Sequence, residues 1–409
     1  MKTDVEVVIA GGGQVGLALA LALRQAAPTL GVTVADPAPA PHARQGRAST
    51  LVAGPRRLLA GLGVWARIAD AAERVTAMEI TDSRTGDAVR PVFLTFALDG
   101  EDGEAYVVPD AAVTAALAEG AAKAGAEIIT GAGVADFSTS GGAVTVRLAD
   151  GGMLRARLLV GADGARSKIR ELAGIQRVGR SYGHSGIVVT VAHERPHGGK
   201  AWEHFLPGGP FAALPLKDDA EGRHLSSLVW TEPTDIAERL VEGDRLAFQV
   251  ELERRFGHRL GAVAAIDQPQ AFPLGIFVAR DFVRPRLALA GDAAHSVHPV
   301  AGQGLNLGYR DVAALAEVIV EGHRLGLDIG SLGVLERYQR WRRYDTAEMG
   351  WVTDGITRLF SNDNPVLRPV RDFGLGVVDR LPELKRMFIG GASGARGSDV
   401  PRLMRGEAI

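Results

Sequence analysis

The hydrophobic pattern of the first forty residues predicts a strand, a helix and a second strand. Residues 5–10 form a short β-branched run, which is typical of a buried parallel strand. The alanine- and leucine-rich run over 17–27 has high helical propensity. Residues 32–35 predict a second strand, which ends at Asp36 and is stopped by Pro37. A strand, a helix and a strand within about thirty residues form a βαβ unit.

The same kind of pattern continues to residue 180. We expect a helix over 110–124 with Asp110 as its cap. Two alternating runs, 143–148 and 153–158, predict a hairpin with an Asp-Gly turn. Because the second run leads into Gly161, we expect it to return to the first sheet.

From about residue 181 to 276 the pattern changes to alternating runs separated by turns. Runs such as 187–191 and 225–230 predict strands, and one helix is expected near 236–256. This texture predicts an antiparallel sheet inserted into the first domain. A further buried strand is expected over 287–290. It precedes a helix whose face repeats at spacings of three and four, formed by Leu305, Gly308, Val312, Leu315 and Ile319.

The composition of the 409-residue chain is globular despite its 52 glycines, since 46% of the residues are hydrophobic and 23% are charged. These fractions exclude a collagen-like or disordered chain. The net charge of −2 gives no support for nucleic-acid binding, and we predict none. The absence of cysteine excludes disulfides, thiolate nucleophiles and metal sites with cysteine ligands.

The apolar stretch over 7–23 superficially resembles a secretory signal, but its flanks do not fit one. Asp4 and Glu6 oppose the positive leading region of a signal peptide, and three glycines stand within the run. No other stretch approaches the roughly eighteen apolar residues of a membrane span. We therefore expect a cytoplasmic protein, with any membrane contact peripheral at the inner face of the membrane.

The first motif with chemical content is Gly11-x-Gly13-x-x-Gly16, placed between the first strand and the first helix. Glycines at this spacing allow a tight turn, backbone approach to a pyrophosphate and close helix packing. The helix N-terminus supplies amide donors for the phosphates. Asp36 follows Gly16 by twenty residues, at the end of the second strand, where a carboxylate binds a ribose hydroxyl pair. The motif predicts dinucleotide binding without separating FAD from NAD.

Two further motifs follow strand ends. The sequence 160–170 carries Asp163-Gly164, a turn, and Ser167, which can cap the next helix; a plain strand-to-helix connection explains it equally well. In the sequence 289–311, Asp292 at a strand end can accept hydroxyls of a bound polyol. Gly302 and Gly304 allow backbone amides to approach a flat ring at a helix start.

In order and spacing, the three motifs resemble those of the class A flavoprotein monooxygenases, which have the para-hydroxybenzoate hydroxylase fold. The run over 298–311 is similar to the signature of the ubiquinone-biosynthesis hydroxylase branch of that family. Three downstream sequences also resemble this branch: Tyr338-x-x-Trp341-Arg342-Arg343, Thr353-Asp354-Gly355 and Leu359-Phe360-Ser361-Asn362. The resemblance covers residues 4–390, while the middle sheet matches in texture more than in motif.

The resemblance implies roles for individual residues. In the FAD half of the site, Gly11, Gly13 and Gly16 would hold the pyrophosphate, with Gln14 beside them. Asp36 would bind the adenosine ribose. Arg47 would contact the cofactor near its phosphates. Asp163 lies in a motif that the family uses for both FAD and NAD(P)H. At the flavin end, Asp292 would bind the ribityl chain and Pro299 would line the face where oxygen reacts. The residues implied to border the isoalloxazine are Gly302, Gln303, Gly304, Leu305 and Asn306.

The implied activity is hydroxylation of the aromatic ring of a polyprenylated phenol in ubiquinone biosynthesis. NAD(P)H would reduce FAD, and O2 would then form a flavin C4a-hydroperoxide near Pro299 that transfers oxygen to the ring. The resemblance also implies a peripheral, membrane-associated biosynthetic complex as partner. The sequence leaves two alternatives open: a hydroxylase of small soluble aromatic compounds on the same fold, and a non-catalytic flavin-binding subunit. No motif identifies the base that takes the phenol proton or the ring carbon that is hydroxylated.

The predicted fold class is α/β with an α+β insert. It comprises a Rossmann-like FAD/NAD(P)-binding domain, an inserted antiparallel-sheet substrate domain and C-terminal helices. The FAD-binding domain is assigned to 1–75, 110–180 and 277–325, the substrate domain to 76–109 and 181–276, and the C-terminal helical region to 326–409.

Some conspicuous residues have a plain interpretation beside a functional one. His295 and His298 lack further ligands, so we predict no metal site. The apolar residues Trp202, Phe205, Phe211 and Leu214 line either a pocket for an aromatic substrate or the core of the sheet. A basic amphipathic stripe over 370–388 fits a membrane surface, but its glycines and Pro382 favour burial against its own domain.

Overall fold

The computed structural model describes residues 2–40, 46–82, 90–98, 100–296, 303–343 and 400–409. Its helices are α1 Gln14–Ala26, α2 Ala53–Gly61, α3 Trp65–Ile68, α4 Gly100–Gly103, α5 Asp110–Lys123, α6 Lys168–Leu172, α7 Thr234–Glu242, α8 Arg245–Phe256 and α9 Gln303–Arg324. Residues 332–343 are helical as well.

The strands of the described residues fall into three sheets. In chain order they are β1 Lys2–Ala10, β2 Val32–Asp36, β3 Ala48–Val52, β4 Glu73–Val75, β5 Ala77–Asp82, β6 Leu94–Ala97, β7 Ala105–Pro109, β8 Glu127–Thr130, β9 Val134–Ser140, β10 Ala143–Leu148, β11 Met153–Gly161, β12 Arg177–His193, β13 Lys200–Leu206, β14 Gly209–Leu216, β15 His224–Pro233, β16 Val263–Ala265, β17 Gln270–Ala279, β18 Val283–Arg284, β19 Leu287–Leu289 and β20 His295–Ser296.

The first sheet contains the predicted βαβ unit. Its strand order is β18-β19-β11-β1-β2-β8, and β1 runs parallel to both β11 and β2. Helix α1 is buried on nearly every side because it packs against the sheet, α5 and α9, which explains its almost continuous alanine and leucine sequence. The return of β11 to this sheet is confirmed, with Val8 opposite Leu159.

The second sheet, here called the large sheet, has the order β20-β17-β12-β15-β14-β13-β5-β6 and is antiparallel except where β13 runs beside β5. Strand alternation gives it two faces. The back face packs on α7 and α8, through a core that includes Trp202, Phe211, Trp230, Phe248 and Phe256. The opposite face, here called the front face, carries the alternate residues, among them Ala201, Glu203 and Phe205 on β13.

The third sheet, β3-β7-β4, lies against one end of the front face. Apolar residues of the two sheets form a separate small core, made by Val75, Ala105, Val107, Ala201, Leu214 and Leu216. Beside it, the Thr190 hydroxyl donates to the Gly46 carbonyl at 3.3 Å. The front face therefore contacts both the small sheet and the segment that leads into its strand β3.

The predicted fold class is confirmed: a Rossmann-like parallel sheet carries an inserted antiparallel sheet. Two local predictions are wrong. The single helix near 236–256 is two helices, because Gly243 ends α7 and the Asp244 carboxylate caps α8 by accepting from the Ala247 amide at 3.3 Å. Asp110 is the first residue of α5 and not its cap, a position that belongs to Pro109.

The domain boundaries drawn from the sequence stay a prediction, as does most of the C-terminal region, because 344–399 lie outside the described residues. Among the helices of the described residues, none combines the length and apolarity needed to cross a bilayer.

Candidate active site

The three sequence motifs meet at one edge of the parallel sheet. Strands β19, β11, β1 and β2 lie side by side in that order, so their carboxyl ends are neighbours. Backbone hydrogen bonds join the strand ends directly: Gly11 N to Ala35 O at 2.9 Å, Ala162 N to Ala10 O at 2.8 Å, and Ala290 N to Gly161 O at 2.9 Å. In parallel α/β sheets, ligands bind in the crevice outside this edge.

The three glycines of the first motif occupy their positions for different structural reasons. Gly11 has a φ of +114°, and a Cβ there would lie 2.3 Å from Ala162 O. A Cβ at Gly16 would lie 2.0 Å from Gly11 O, so both positions need glycine for the protein's own packing. At Gly13, by contrast, a Cβ would meet no protein atom within 4 Å. The space in front of Gly13, at the N-terminus of α1, is therefore open to a ligand.

This cradle fits a dinucleotide such as FAD. Gly13 is the N-cap of α1 and supplies no side-chain cap, so the backbone of the first turn faces the open space. Such a turn binds phosphate through its amides and the positive end of the helix dipole. The observation that decides the fit is the open space at Gly13, directly beside two positions where the protein excludes any side chain.

Asp36 lies at the end of β2, beside the glycine turn. Its Oδ2 accepts from the Gly12 amide at 2.5 Å and its Oδ1 accepts from the Ala38 amide at 2.8 Å. The carboxylate is thus held at the rim of the cradle by two backbone amides. This is the place where the sequence predicts a contact with the ribose, and that contact stays a prediction.

Arg47 lies just before β3. Its Nε is 3.1 Å from Asp110 Oδ2, and its side chain is 42% exposed. The Ser49 hydroxyl donates to the other Asp110 oxygen at 2.6 Å. Asp110 therefore orients the guanidinium from below, which explains why an acid begins α5. The predicted contact of Arg47 with the cofactor is untested.

The second motif is built as a helix start. The Ser167 hydroxyl caps α6 by accepting from the Arg170 amide at 3.0 Å, as predicted. Asp163 Oδ2 accepts from the Ile169 amide at 3.0 Å, whereas its buried Oδ1 has no partner among the described residues. Arg170 donates to the Ala293 carbonyl at 2.9 Å and so ties this motif to the third one.

The third motif begins with an exposed Asp292 in the turn Gly291–Ala293. Below it lies a cluster of side chains with 0% exposure, formed by His295, Asp311 and Arg342. Asp311 Oδ2 accepts from His295 Nε2 at 2.6 Å and from the Gly291 amide at 2.8 Å, while Arg342 Nε donates to its Oδ1 at 2.7 Å. We call these three residues the Asp311 cluster; it fixes the turn that presents Asp292.

The charge state of the Asp311 cluster follows from its partners. Burial alone would raise the pKa of Asp311, but the charges and hydrogen bonds of His295 and Arg342 outweigh it and lower the pKa below the ordinary value. His295 is therefore held by a buried hydrogen bond to Asp311. Within the described residues, no group of three metal-ligating side chains gathers at this or any other place; His298 lies outside them.

Helix α9 brings its first turn to the same edge. Gly304 and Leu305 are half-exposed there, whereas Asn306 is buried and binds β3 through its amide, donating to the Thr50 carbonyl at 2.9 Å. Gln14 accepts from the Tyr309 hydroxyl at 2.8 Å. Burial raises the Tyr309 pKa well above its ordinary value, and the hydroxyl thus stays protonated and able to donate.

The structure therefore brings most of the predicted cofactor residues to one edge: Gly11, Gly13, Gln14, Gly16, Asp36, Asp163, Asp292, Gly304, Leu305 and Asn306. Gln303 is the first residue of α9, and of its side chain nothing is described. Pro299 and Gly302 lie outside the described residues. Their predicted roles at the flavin stay predictions.

The front face of the large sheet carries one residue that the sequence reasoning missed. Glu203 lies on β13, beside Ala212 of β14 and Ile80 of β5. It is 4% exposed, and burial raises the pKa of its carboxyl to about 7. The signal in the sequence was an acid placed between Ala201 and Phe205 in the alternation of β13. Of the four residues proposed as pocket lining, Trp202 and Phe211 belong to the back-face core and Leu214 to the small core.

Comparisons with known proteins agree with this geometry. The model of the family described as "FAD binding domain" matches residues 4–343. The ubiquinone hydroxylase UbiL of Rhodospirillum rubrum is 41% identical, over 99% of this chain and 93% of the relative. The 3-demethoxyubiquinol 3-hydroxylase of Escherichia coli is 37% identical, over 94% of this chain and 97% of the relative.

A solved structure extends the agreement to the fold. The p-nitrophenol 4-monooxygenase PnpA of Pseudomonas putida superposes with a TM-score of 0.83, over 97% of this chain and 100% of its own, at 22% identity. The family match spans the parallel sheet, the inserted large sheet and α9. The chain therefore belongs to the FAD binding domain family, in the ubiquinone-biosynthesis hydroxylase branch of the class A flavoprotein monooxygenases.

Proposed function

We propose that this protein is an FAD-dependent monooxygenase that hydroxylates the aromatic ring of a polyprenylated phenol in ubiquinone biosynthesis, with O2 and NAD(P)H as co-substrates. The observation that carries the proposal is the similarity to ubiquinone hydroxylases along nearly the whole of both chains. Such similarity includes the large sheet, where the substrate pocket of this fold class would be formed, and not only the cofactor edge.

The residues of the cofactor edge would divide the work of holding FAD. The turn at Gly13 would bind the pyrophosphate through backbone amides, Asp36 the adenosine ribose, and Asp292 the ribityl chain. The first turn of α9, at Gly304 and Leu305, would lie against the flavin ring. When bound, FAD would supply the electron transfer and oxygen activation that no side chain of this chain can perform.

The protein's own contribution is to orient the ring and exclude water. The front face supplies a wall of apolar residues, and the small sheet closes one end of it. A dry, shaped cavity prevents the loss of reducing equivalents to side reactions with water. A prenyl tail is apolar, so the remaining side of the pocket would need an apolar exit.

We also propose peripheral contact with the membrane that holds such a substrate, within a ubiquinone-biosynthesis complex. The support is chemical, since a polyprenylated phenol partitions into lipid and must be taken from it. The basic amphipathic stripe over 370–388 is the segment whose sequence fits this contact.

Complementation tests the proposal directly. The gene is expressed in bacterial strains that are each blocked at one ring-hydroxylation step of ubiquinone synthesis, and the accumulated precursors are identified by mass. We expect quinone synthesis to return in at least one strain, with loss of its specific precursor. Restoration in none of them, with the flavoprotein present at normal level, would contradict the substrate assignment; turnover of a small soluble phenol instead would favour the alternative hydroxylase.

A further inference from the structure

One row of side chains crosses the front face beside the row that the small sheet covers. In register, the row is formed by Val188 on β12, Val229 on β15, Ala212 on β14, Glu203 on β13 and Ile80 on β5. The four apolar members are half-exposed. We call this set the Glu203 row. It is an apolar wall with one carboxyl group in it.

The Glu203 row lies on the side of the sheet that faces the cofactor edge. The next row along the front face contains Thr190 and Ala201, and it contacts Gly46 and the small sheet. The chain from Gly46 leads into β3, whose backbone is bound by Asn306 in the first turn of α9. The wall and the predicted flavin border are thus connected through one short strand.

Glu203 differs from the other buried acids of the described residues by its lack of a partner. Glu79 pairs with Lys200 and Arg259, and Asp311 has its own cluster. Glu203 has neither an ion pair nor a hydrogen bond with any residue that the structure describes. Burying a carboxyl in this way disfavours its charged form.

Such a residue makes the folded state less stable than a neutral one of the same shape would. Because the pKa of Glu203 is raised from 4.5 to about 7, the unfolded chain ionises at lower pH than the folded protein, and the resulting loss of stability is complete above about pH 7. A group that costs stability and has no structural partner is a candidate for function. A pKa near neutrality is also the value that suits a proton acceptor at physiological pH.

We propose that the Glu203 carboxylate binds the hydroxyl of the phenolic substrate and takes its proton during ring hydroxylation. The inference rests on the proposed function, because it requires a phenol in this pocket. The aromatic ring would lie on the apolar members of the Glu203 row, with its hydroxyl donating to the carboxylate.

The proton and electron balance of the step is simple. The O–H bond of the phenol breaks, its proton passes to a Glu203 carboxylate oxygen, and the electron pair stays on the phenol oxygen. That pair enters the ring and makes it a better nucleophile towards the oxygen that the cofactor chemistry supplies. When the ring regains aromaticity, the hydroxylated carbon releases its proton to water and the Glu203 proton returns to the phenol oxygen.

Few other titratable groups share this face. The immediate neighbours of Glu203 across the sheet, Ala212 and Ile80, are apolar. Among the residues whose side chains the structure describes, His184 occupies a front-face position at the far end of β12. Asp267 accepts from the Thr190 amide at 2.8 Å, beside the next row of the front face. The acidic form of Glu203 therefore predominates below about pH 7 and the carboxylate above it.

The test compares wild type with Glu203→Gln, and uses Glu79→Gln as a matched control from the back face of the neighbouring strand. The probe is a 2-prenylphenol, whose binding to the oxidised flavoprotein is followed by flavin absorbance between pH 6 and 9. For wild type and E79Q we expect binding to tighten about tenfold as the pH rises through about 7, since the carboxylate is the stronger acceptor. For E203Q we expect a flat profile and a loss of about 100-fold in kcat for ring hydroxylation.

A second measurement separates function from structure. Because Gln cannot ionise, E203Q should unfold at a higher temperature than wild type at pH 8, whereas loss of a structural contact would lower it. Wild-type pH dependence or wild-type kcat in E203Q, or destabilisation at pH 8, would overturn the role of Glu203. If wild type itself neither binds nor hydroxylates any prenylphenol, the proposed function fails, and the Glu203 inference fails with it.

Discussion

The Asp311 cluster gives the sharpest prediction about the architecture of the cofactor edge. In Asp311→Asn the side chain keeps its shape but loses its charge. Arg342 stays charged at any accessible pH, and both residues have 0% exposure. The variant therefore removes the carboxylate charge that Arg342 Nε contacts, and the loss of one charge of a buried ion pair typically costs about 3–5 kcal/mol.

The loss of stability in Asp311→Asn can be measured by urea unfolding of the flavoprotein with excess FAD. The control is Glu321→Gln, which removes one partner of the half-exposed pair Arg337–Glu321; exposed pairs contribute about 0–1 kcal/mol. We expect the free energy of unfolding to fall by at least about 3 kcal/mol in D311N and to change little in E321Q. Because the Gly291 amide loses a charged acceptor, the affinity for FAD should also fall about tenfold.

The stabilisation by the Asp311 cluster should depend on pH in a defined direction. The pKa of Asp311 is lowered in the folded protein, so the cluster stabilises the fold fully above the ordinary value of 3.8. That stabilisation is lost as the pH falls through the lower folded-state value, and the difference between wild type and D311N should shrink there. Adding Arg342→Met to D311N should recover part of the loss, because it removes the buried guanidinium while the side-chain amide oxygen can still accept from the Gly291 amide. A D311N protein within about 1 kcal/mol of wild type at pH 7 would refute this account of the cluster.

Three further predictions concern other parts of the chain. Gly13→Ala should leave the stability of the FAD-free protein nearly unchanged but weaken FAD binding. Gly16→Ala should destabilise the fold itself, because only a Cβ at Gly16 collides with the protein. Thermal melting with and without FAD distinguishes the two variants. Ser167→Ala should lower the free energy of unfolding by about 1 kcal/mol through loss of the α6 cap, and Ser167→Thr should retain it. Burial lowers the pKa of His204 to about 3. The folded state therefore keeps the imidazole neutral, and the free energy of unfolding falls as the pH decreases from about 6.5 towards 3. His204→Gln should make the free energy of unfolding less dependent on pH between these values.

The sequence predicts the parallel part of this fold well because its signals are local. The βαβ unit, the return of β11 and the cap at Ser167 each follow from residues within one short window. Adjacency of the three motifs then follows from a general rule, that the carboxyl ends of parallel strands meet at one edge. The boundary between α7 and α8 was also readable, since Gly243 followed by Asp244 is a stop followed by a cap.

The site beyond the cofactor edge depends on long-range pairing that local patterns do not contain. Alternation along β13 separates Glu203 from Trp202, but it does not say which of them faces the cofactor edge. That is decided by the elements that cover each face: α7 and α8 pack on the side of Trp202, and the small sheet packs on the side of Ala201. The partnership of His295 with Asp311 likewise depends on how α9 packs under the turn at Gly291.

The central claim is that this chain holds FAD beside a prenylated phenol and places one atom of oxygen on its ring. The most direct measurement is turnover of a short-chain prenylphenol by the purified flavoprotein with NAD(P)H under ¹⁸O2, followed by mass spectrometry of the product. We expect bound FAD and a product that gains a single ¹⁸O atom on the ring. Purified protein without flavin, or NAD(P)H oxidation that yields only hydrogen peroxide with every prenylphenol offered, would contradict it.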